Sequence, residues 1–209
     1  MQKKVKTVVQ PAATRLTTVV AVQAELNLPD GEAIERIASL IDQASSAICD
    51  YCARQFAQAT ISETIYTAYG WVDSYRENFL PTTVILTRLP IVSIVRITES
   101  MPLTTAFFNY DEESGVLKLP HGTINAEIVY VGGYLLPGQD GRTLPAAVER
   151  ACIDTVSNFW YKAKRVDPLI KRDMVQGIGQ TDYYDPTLAG LTGILPSTAQ
   201  DALATYRLV

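Results

Sequence analysis

At 209 residues the chain is long enough for one domain with an appendage, and its 47% hydrophobic against 19% charged composition excludes a disordered polymer. Eighteen basic and twenty-two acidic residues leave a net charge of −4, the reverse of a dedicated nucleic-acid binder, whose lysines and arginines supply the affinity for phosphate. No apolar run reaches the roughly 18–20 residues of a bilayer crossing, and three cysteines fit a reducing compartment better than a disulfide framework.

Residues 1–16 show no clear period and read as an N-terminal extension. Their basic cluster, Lys3, Lys4 and Lys6, is either a solvated end or a short arm for an acidic surface. No apolar stretch follows the lysines, so a secretion signal is not expected, and the chain reads as a soluble protein made in the cytosol with no membrane partner. Thr17 or Thr18 can cap a first helix over about 18–27 carrying Val19, Val20, Val22, Ala24 and Leu26, with Asn27 near its end. Pro29-Asp30-Gly31 then breaks the chain, with Asp30 as the expected cap of a second helix over about 30–55 and Glu32 and Glu35 near its positive end. Ile34, Ile37, Ile41, Ala44, Ile48 and Tyr51 recur at spacings of three and four, which buries one face. Glu35, Arg36, Ser39, Asp42, Gln43, Ser46 and Asp50 leave the other face to water or a partner.

From about Thr60 to 131, β-branched and aromatic residues cluster in short runs bounded by turn formers. Strands are expected near 61–69, 84–88, 92–98, 107–110, 116–119 and 126–131. Asp111 to Gly115 is a hairpin turn in which Gly115 takes positive φ, and Trp71 to Pro81 is a longer loop. Gly132-Gly133 closes the last strand. Pro145 starts a third helix over about 145–163, with Val148, Cys152, Thr155, Val156 and Phe159 as its apolar stripe and Lys162 to Arg165 at its negative end. The fold class is therefore α+β: helices flanking a β-rich middle, followed by an extended C-terminal tail. The organisation reads as an extension over 1–16, a core domain over 17–165 with a β-rich insertion at 60–135, and a tail over 166–209.

The tail is broken by glycine and proline yet stays apolar through Ile178, Tyr183, Tyr184, Leu188, Leu191, Ile194, Leu195, Leu203, Tyr206 and Leu208. Ser197 can cap a last short helix. Either the tail docks on a neighbouring subunit, with Ser197–Leu208 as anchor, or it packs back on its own. The docking reading names Tyr183, Tyr184, Leu188, Leu191, Ile194, Leu195, Leu203, Tyr206 and Leu208.

Chemistry is not what these residues offer. Cys49 and Cys52 form a C-x-x-C, but late in a helix, where the dipole disfavours a thiolate, whereas redox pairs sit at helix N-termini. A structural zinc would need about four ligands, and only Cys152 and His121 remain, without paired spacing. His121 is the single histidine, in a Pro-His-Gly turn with no nucleophile elbow beside it. Asp111, Glu112 and Glu113 are a charged turn, and Gly177-Ile178-Gly179 lacks the third glycine of a dinucleotide loop. No catalytic, cofactor-binding or metal-ligating residue is assigned, and the chain does not read as an enzyme.

The order of elements and several local strings carry a resemblance. They are Ile41-Asp42-Gln43-Ala44-Ser45 leading to Ile48–Phe56, then Leu86-Thr87-Arg88-Leu89-Pro90-Ile91-Val92-Ser93-Ile94, then Tyr130-Val131-Gly132-Gly133-Tyr134 before Leu144-Pro145. Over about residues 17–163 the chain resembles the head–tail connector (head completion, or adaptor) proteins of long-tailed bacteriophages. The resemblance implies a non-enzymatic virion protein without a cofactor, forming a ring of about twelve copies at the head–tail junction. Its partners would be the portal protein, which the C-terminal tail would reach up to clasp through the docking residues named above, a stopper or tail-completion protein and further copies of itself, with DNA only as passing cargo in the channel. The extra first sixteen residues, the 71–81 loop and the long tail depart from the family pattern. The competing readings are a small-molecule-binding or hydrolytic domain using a pocket near His121, and a neighbouring stopper protein.

Overall fold

In the computed structural model, alternation of apolar and polar side chains builds an antiparallel sheet from segments far apart in sequence. The structure describes residues 2–29, 31–66, 82–99, 109–119, 125–163, 172–175, 179–182 and 194–208, which fall into two units. The first unit takes residues 1–14, 55–136 and 140–143. Its strands are β1 (Gln2–Val9), β2 (Ala59–Tyr66), β3 (Thr82–Ile85), β4 (Ile91–Glu99), β5 (Asn109–Tyr110), β6 (Val116–Leu119) and β7 (Asn125–Gly132). A four-stranded sheet runs in the order β1-β2-β7-β4, all antiparallel, and a three-stranded sheet in the order β3-β6-β5. Ile61 and Ile65 of β2, Ile128 and Tyr130 of β7, Ile91 of β4, Val84 of β3 and Leu117 of β6 meet in one core with Leu86 and Leu89. Burying each large apolar side chain stabilises the fold by roughly 1.5–3 kcal/mol.

Two features depart from the sequence expectation and one meets it. Residues 2–9, read as part of an extension, are a strand, with Val5 across from Glu63 and Lys3 from Ile65. The strand expected at 84–88 stops at Ile85, because the Thr87 N–H is taken by the Glu63 carboxylate at 2.8 Å rather than by a neighbouring strand. The turn after β5 forms as expected: Gly115 has φ +67, and a Cβ there would lie 2.1 Å from Leu89 Cδ2. The 71–81 loop and His121 lie outside the described residues.

The second unit takes residues 15–54, 137–139 and 144–209. It contains α1 (Val19–Glu25), α2 (Ile34–Tyr51), α3 (Ala146–Ala163), the hairpin β8 (Arg172–Val175) with β9 (Gly179–Asp182), α4 (Ser197–Leu203) and a 3-10 turn (Ala204–Tyr206). Thr18 caps α1, its Oγ1 accepting from the Ala21 N–H at 3.2 Å, and Asn27 follows the helix in the left-handed region. Asp30, the expected cap, lies outside the described residues; α2 begins at Ile34 behind Ala33 at φ +53, which makes no side-chain cap hydrogen bond. The spacing of apolar residues does decide which face of α2 is buried: Ile37, Ile41, Ala44 and Ile48 are fully covered. Val148, Ala151, Cys152, Val156 and Trp160 of α3 complete this second core together with Ala199 and Leu203 of α4. Among the described residues no helix is long and apolar enough to cross a membrane.

Candidate functional site

The three thiols lie in or beside the helical core. Cys52 closes the C-terminal end of α2 and is fully buried, and burial pushes its thiol up to about 11. Cys152 on α3 is buried too, pushed up to about 12, with Ser45 Oγ 3.8 Å from its sulfur. A nucleophilic or metal-binding thiol needs the opposite shift, so buried Cys52 and Cys152 act as packing groups. Among the described residues no three His, Cys, Asp or Glu side chains gather into a metal-sized group.

One polar cluster was missed from the sequence. Glu63 points into the β core from the middle of β2, between Ile61 and Ile65, and is completely buried. Its Oε1 accepts from Tyr130 Oη, from Thr87 Oγ1 at 2.5 Å and from the Thr87 N–H at 2.8 Å. Tyr130 Oη accepts in turn from the Arg88 N–H at 2.9 Å, and Arg88 Nη1 donates to the Ala57 carbonyl at 2.7 Å. Burial and the adjacent Glu63 hold the Tyr130 hydroxyl above its ordinary pKa, so it stays a donor. Glu63 Oε2 is buried without a hydrogen-bond partner among the described residues. The cluster ties the 86–90 loop to β2 and β7. The available signal was a charged residue at an inward position of the 59-61-63-65 alternation.

The remaining candidates are surfaces. Val5, Val8 and Val9 on β1 and Val92 and Val95 on β4 are exposed at the two edges of the four-stranded sheet. In the second unit Val20, Ile34, Tyr161 and Ile194 are exposed. Arg36 stacks on the Trp160 ring at 4.9 Å, and bidentate ion pairs join Arg15 to Asp42 and Arg150 to Glu25.

The residues expected to dock the tail divide. Leu195 and Leu203 are buried in the second unit, where α4 packs on α3, so this short helix follows the alternative of packing back on its own subunit. The Leu208 N–H donates to the Cys52 carbonyl at 3.0 Å, and Arg207 lies over the Tyr51 ring. Tyr206 is half-buried, while Ile194 and Leu208 are exposed, at 67% and 37%. Tyr183, Tyr184, Leu188 and Leu191 lie outside the described residues.

No protein-family model and no curated protein matches the sequence. Solved structures do. One chain in the neck of an empty gene transfer agent particle, computed with C6 symmetry, superposes with a TM-score of 0.55 at 15% identity, covering 99% of this chain and 96% of that one. This chain shares its fold with a neck protein. A chain in the neck of the native particle, computed with C12 symmetry, gives 0.55 at 13% identity, over 99% of this chain and 96% of that one. A third, in the virion of the native particle, gives 0.54 at 14%, over 98% of this chain and 95% of that one. The likeness takes in both units and both termini, beyond the 17–163 span of the sequence resemblance.

Proposed function

We propose that the chain is a structural protein of the neck of a phage-like particle. Copies of it form a ring beneath the portal protein, join the DNA-filled head to the tail through a stopper or tail-completion protein, and extend the channel through which DNA passes. The single observation that carries this reading is the fold likeness along 99% of the chain to a neck structure computed with rotational symmetry. The local strings that resemble phage head–tail connectors support it independently. So does the chemistry of the cores: thiols raised by burial and a carboxyl group spent on structural hydrogen bonds serve rigidity rather than turnover. The role is non-enzymatic and its place is the head–tail junction of the virion.

The test is to remove the chain from cells that produce the particle and image the products. The expected outcome is filled or leaking heads and separate tails. Normally joined particles would overturn the reading, as would a reconstruction that places the chain elsewhere than the neck.

A further inference from the structure

β1 is an edge strand of mixed character. Val5, Val8 and Val9 are 48%, 53% and 57% exposed, and Lys4 and Lys6 are exposed on the strand face that Val9 shares beyond the bulge, the face across from Ser62 and Thr64. Lys3 is partly engaged, its ammonium donating to the Ile85 carbonyl. Lys4 lies across from Thr64 and Lys6 across from Ser62, and neither has an ion pair among the described residues. The nearby acid on that sheet face, Glu127, is already taken by Ser62 Oγ at 2.7 Å and by Arg96 at 3.6 Å. The positive charge of β1 is therefore uncompensated, although the whole chain is acidic. Lysines and the register break between Thr7 and Val9 are also the devices that keep an edge from zipping onto another strand. A partner for β1 must be acidic, carry some apolar surface and present side chains rather than a strand edge.

The chain itself carries such a surface. At the start of α2, Glu32 and Glu35 are exposed with no ion pair among the described residues, and Ile34 between them is 49% exposed. Asp42, further along the helix, is neutralised by Arg15. The other acidic patch, Asp111 to Glu113, fits less well. Asp111 is engaged by Ser114 Oγ at 2.7 Å and by the Glu113 N–H at 3.2 Å, and the turn contains no large apolar residue.

We propose that β1 of one copy docks on the Glu32–Glu35 segment of the next copy, Lys4 and Lys6 facing the two glutamates and Val9, on the same strand face, covering Ile34. The contact is heterologous, so each copy offers both halves, and repetition by a rotation that closes gives a ring. Opposite charges set partner and orientation, and the apolar residues exclude water between them. The inference rests on the neck reading for its biological setting, but its chemistry is tested apart from it.

Sedimentation of the full-length chain over a concentration series supplies the test. Lys4→Glu/Lys6→Glu weakens self-association at least about tenfold. Glu32→Lys/Glu35→Lys does the same without touching the edge strand, which separates docking from any misfolding of β1. Mixing the two variants restores association, because each altered half then meets a complementary one. The proposal is overturned by a chain that stays monomeric throughout, by unchanged association in either variant, or by failure of the mixture to recover. Recovery with Glu112→Lys/Glu113→Lys in place of the helix variant also overturns it. So does loss of binding to a DNA duplex by the lysine variant while self-association is intact, since the lysines would then serve a nucleic acid. Each of these outcomes leaves the removal experiment on particles, and with it the neck reading, standing or falling separately.

Discussion

Glu63 shows what one misplaced-looking residue does to its surroundings. A carboxyl group on an apolar strand face must find donors, and three converge on a single oxygen, from Tyr130 and from the hydroxyl and N–H of Thr87. Tyr130→Phe removes one donor to Glu63 and the acceptor of the Arg88 N–H together. The expected cost is about 1–3 kcal/mol, read as a lower urea midpoint with unchanged slope. An unaltered midpoint would mean that the Tyr130 hydroxyl adds nothing to what Thr87 and packing already provide. Backbone strain gives a pair of opposite expectations. Ala53 ends α2 at φ +51, with the Arg54 N–H reaching the Cys49 carbonyl at 3.1 Å, a position that glycine occupies at lower cost. Ala53→Gly relieves about 1–2 kcal/mol of left-handed strain and forfeits about 0.4–1 through the freer unfolded chain, so the melting temperature rises slightly. Gly133→Ala runs the other way: at φ +104 a Cβ would sit 2.6 Å from the Ala57 carbonyl oxygen, and the loss is at least about 2 kcal/mol in the same melts.

At the scale of elements, α2 and α3 were legible because the three-and-four spacing of Ile37, Ile41, Ala44 and Ile48, or of Val148, Cys152, Thr155 and Val156, is a local signal. β1 was not: its partner lies more than fifty residues away, and lysines at an open edge mask the alternation of Val5 and Thr7. Nor does a local pattern say whose core a stripe joins. Leu195, Ala199 and Leu203 recur every four residues, and only packing reveals that they close on α3 of their own unit. Leu203→Ala should therefore cost about 2–5 kcal/mol and lower the thermal midpoint, whereas Ile194→Ala, at an exposed site, should not move it. The ion pairs give a pH dependence. The hydrogen bonds from Arg15 hold the Asp42 carboxyl below its usual range, and those from Arg150 do the same for Glu25. A carboxylate lowered in the folded state stabilises the fold above its unfolded value, about 4, and that contribution is lost as pH falls through the folded value. Stability should thus drop on acidification below about pH 4, and Arg15→Ala should flatten the curve there while costing less than about 1 kcal/mol near neutrality, because the pair is exposed.

For the whole molecule, the α+β class followed from helical spacing on either side of a β-branched middle, and three non-contiguous segments nonetheless build the first unit. Sequence blocks such as 1–16 and 17–165 cannot anticipate that interleaving, because it is made by β1 pairing with β2. The candidate site was legible only as a composition, an apolar tail broken by glycine and proline, and of it Leu195 and Leu203 are core residues of the chain's own second unit. These two hold α4 to that unit, so a tail that clasps the portal, as proposed, would draw on Tyr183, Tyr184, Leu188, Leu191 and the exposed Ile194 and Leu208. Each large apolar side chain that a partner covers is worth roughly 1.5–3 kcal/mol before ordering costs, so four of them can dominate the attachment. Changing Tyr183, Tyr184, Leu188 and Leu191 together to serine is expected to leave the melting temperature of the purified chain unchanged. In producing cells the same chain should be made at normal levels yet leave heads without tails. Leu203→Ala provides the contrast, since it lowers the melting temperature first and impairs joining only as folded chain is lost. If the four-serine chain melts early, these residues belong to the subunit's own core. If it melts normally and still joins heads to tails at full yield, the tail does not hold the portal, and β1 and α2 are left as the contacts that build the ring.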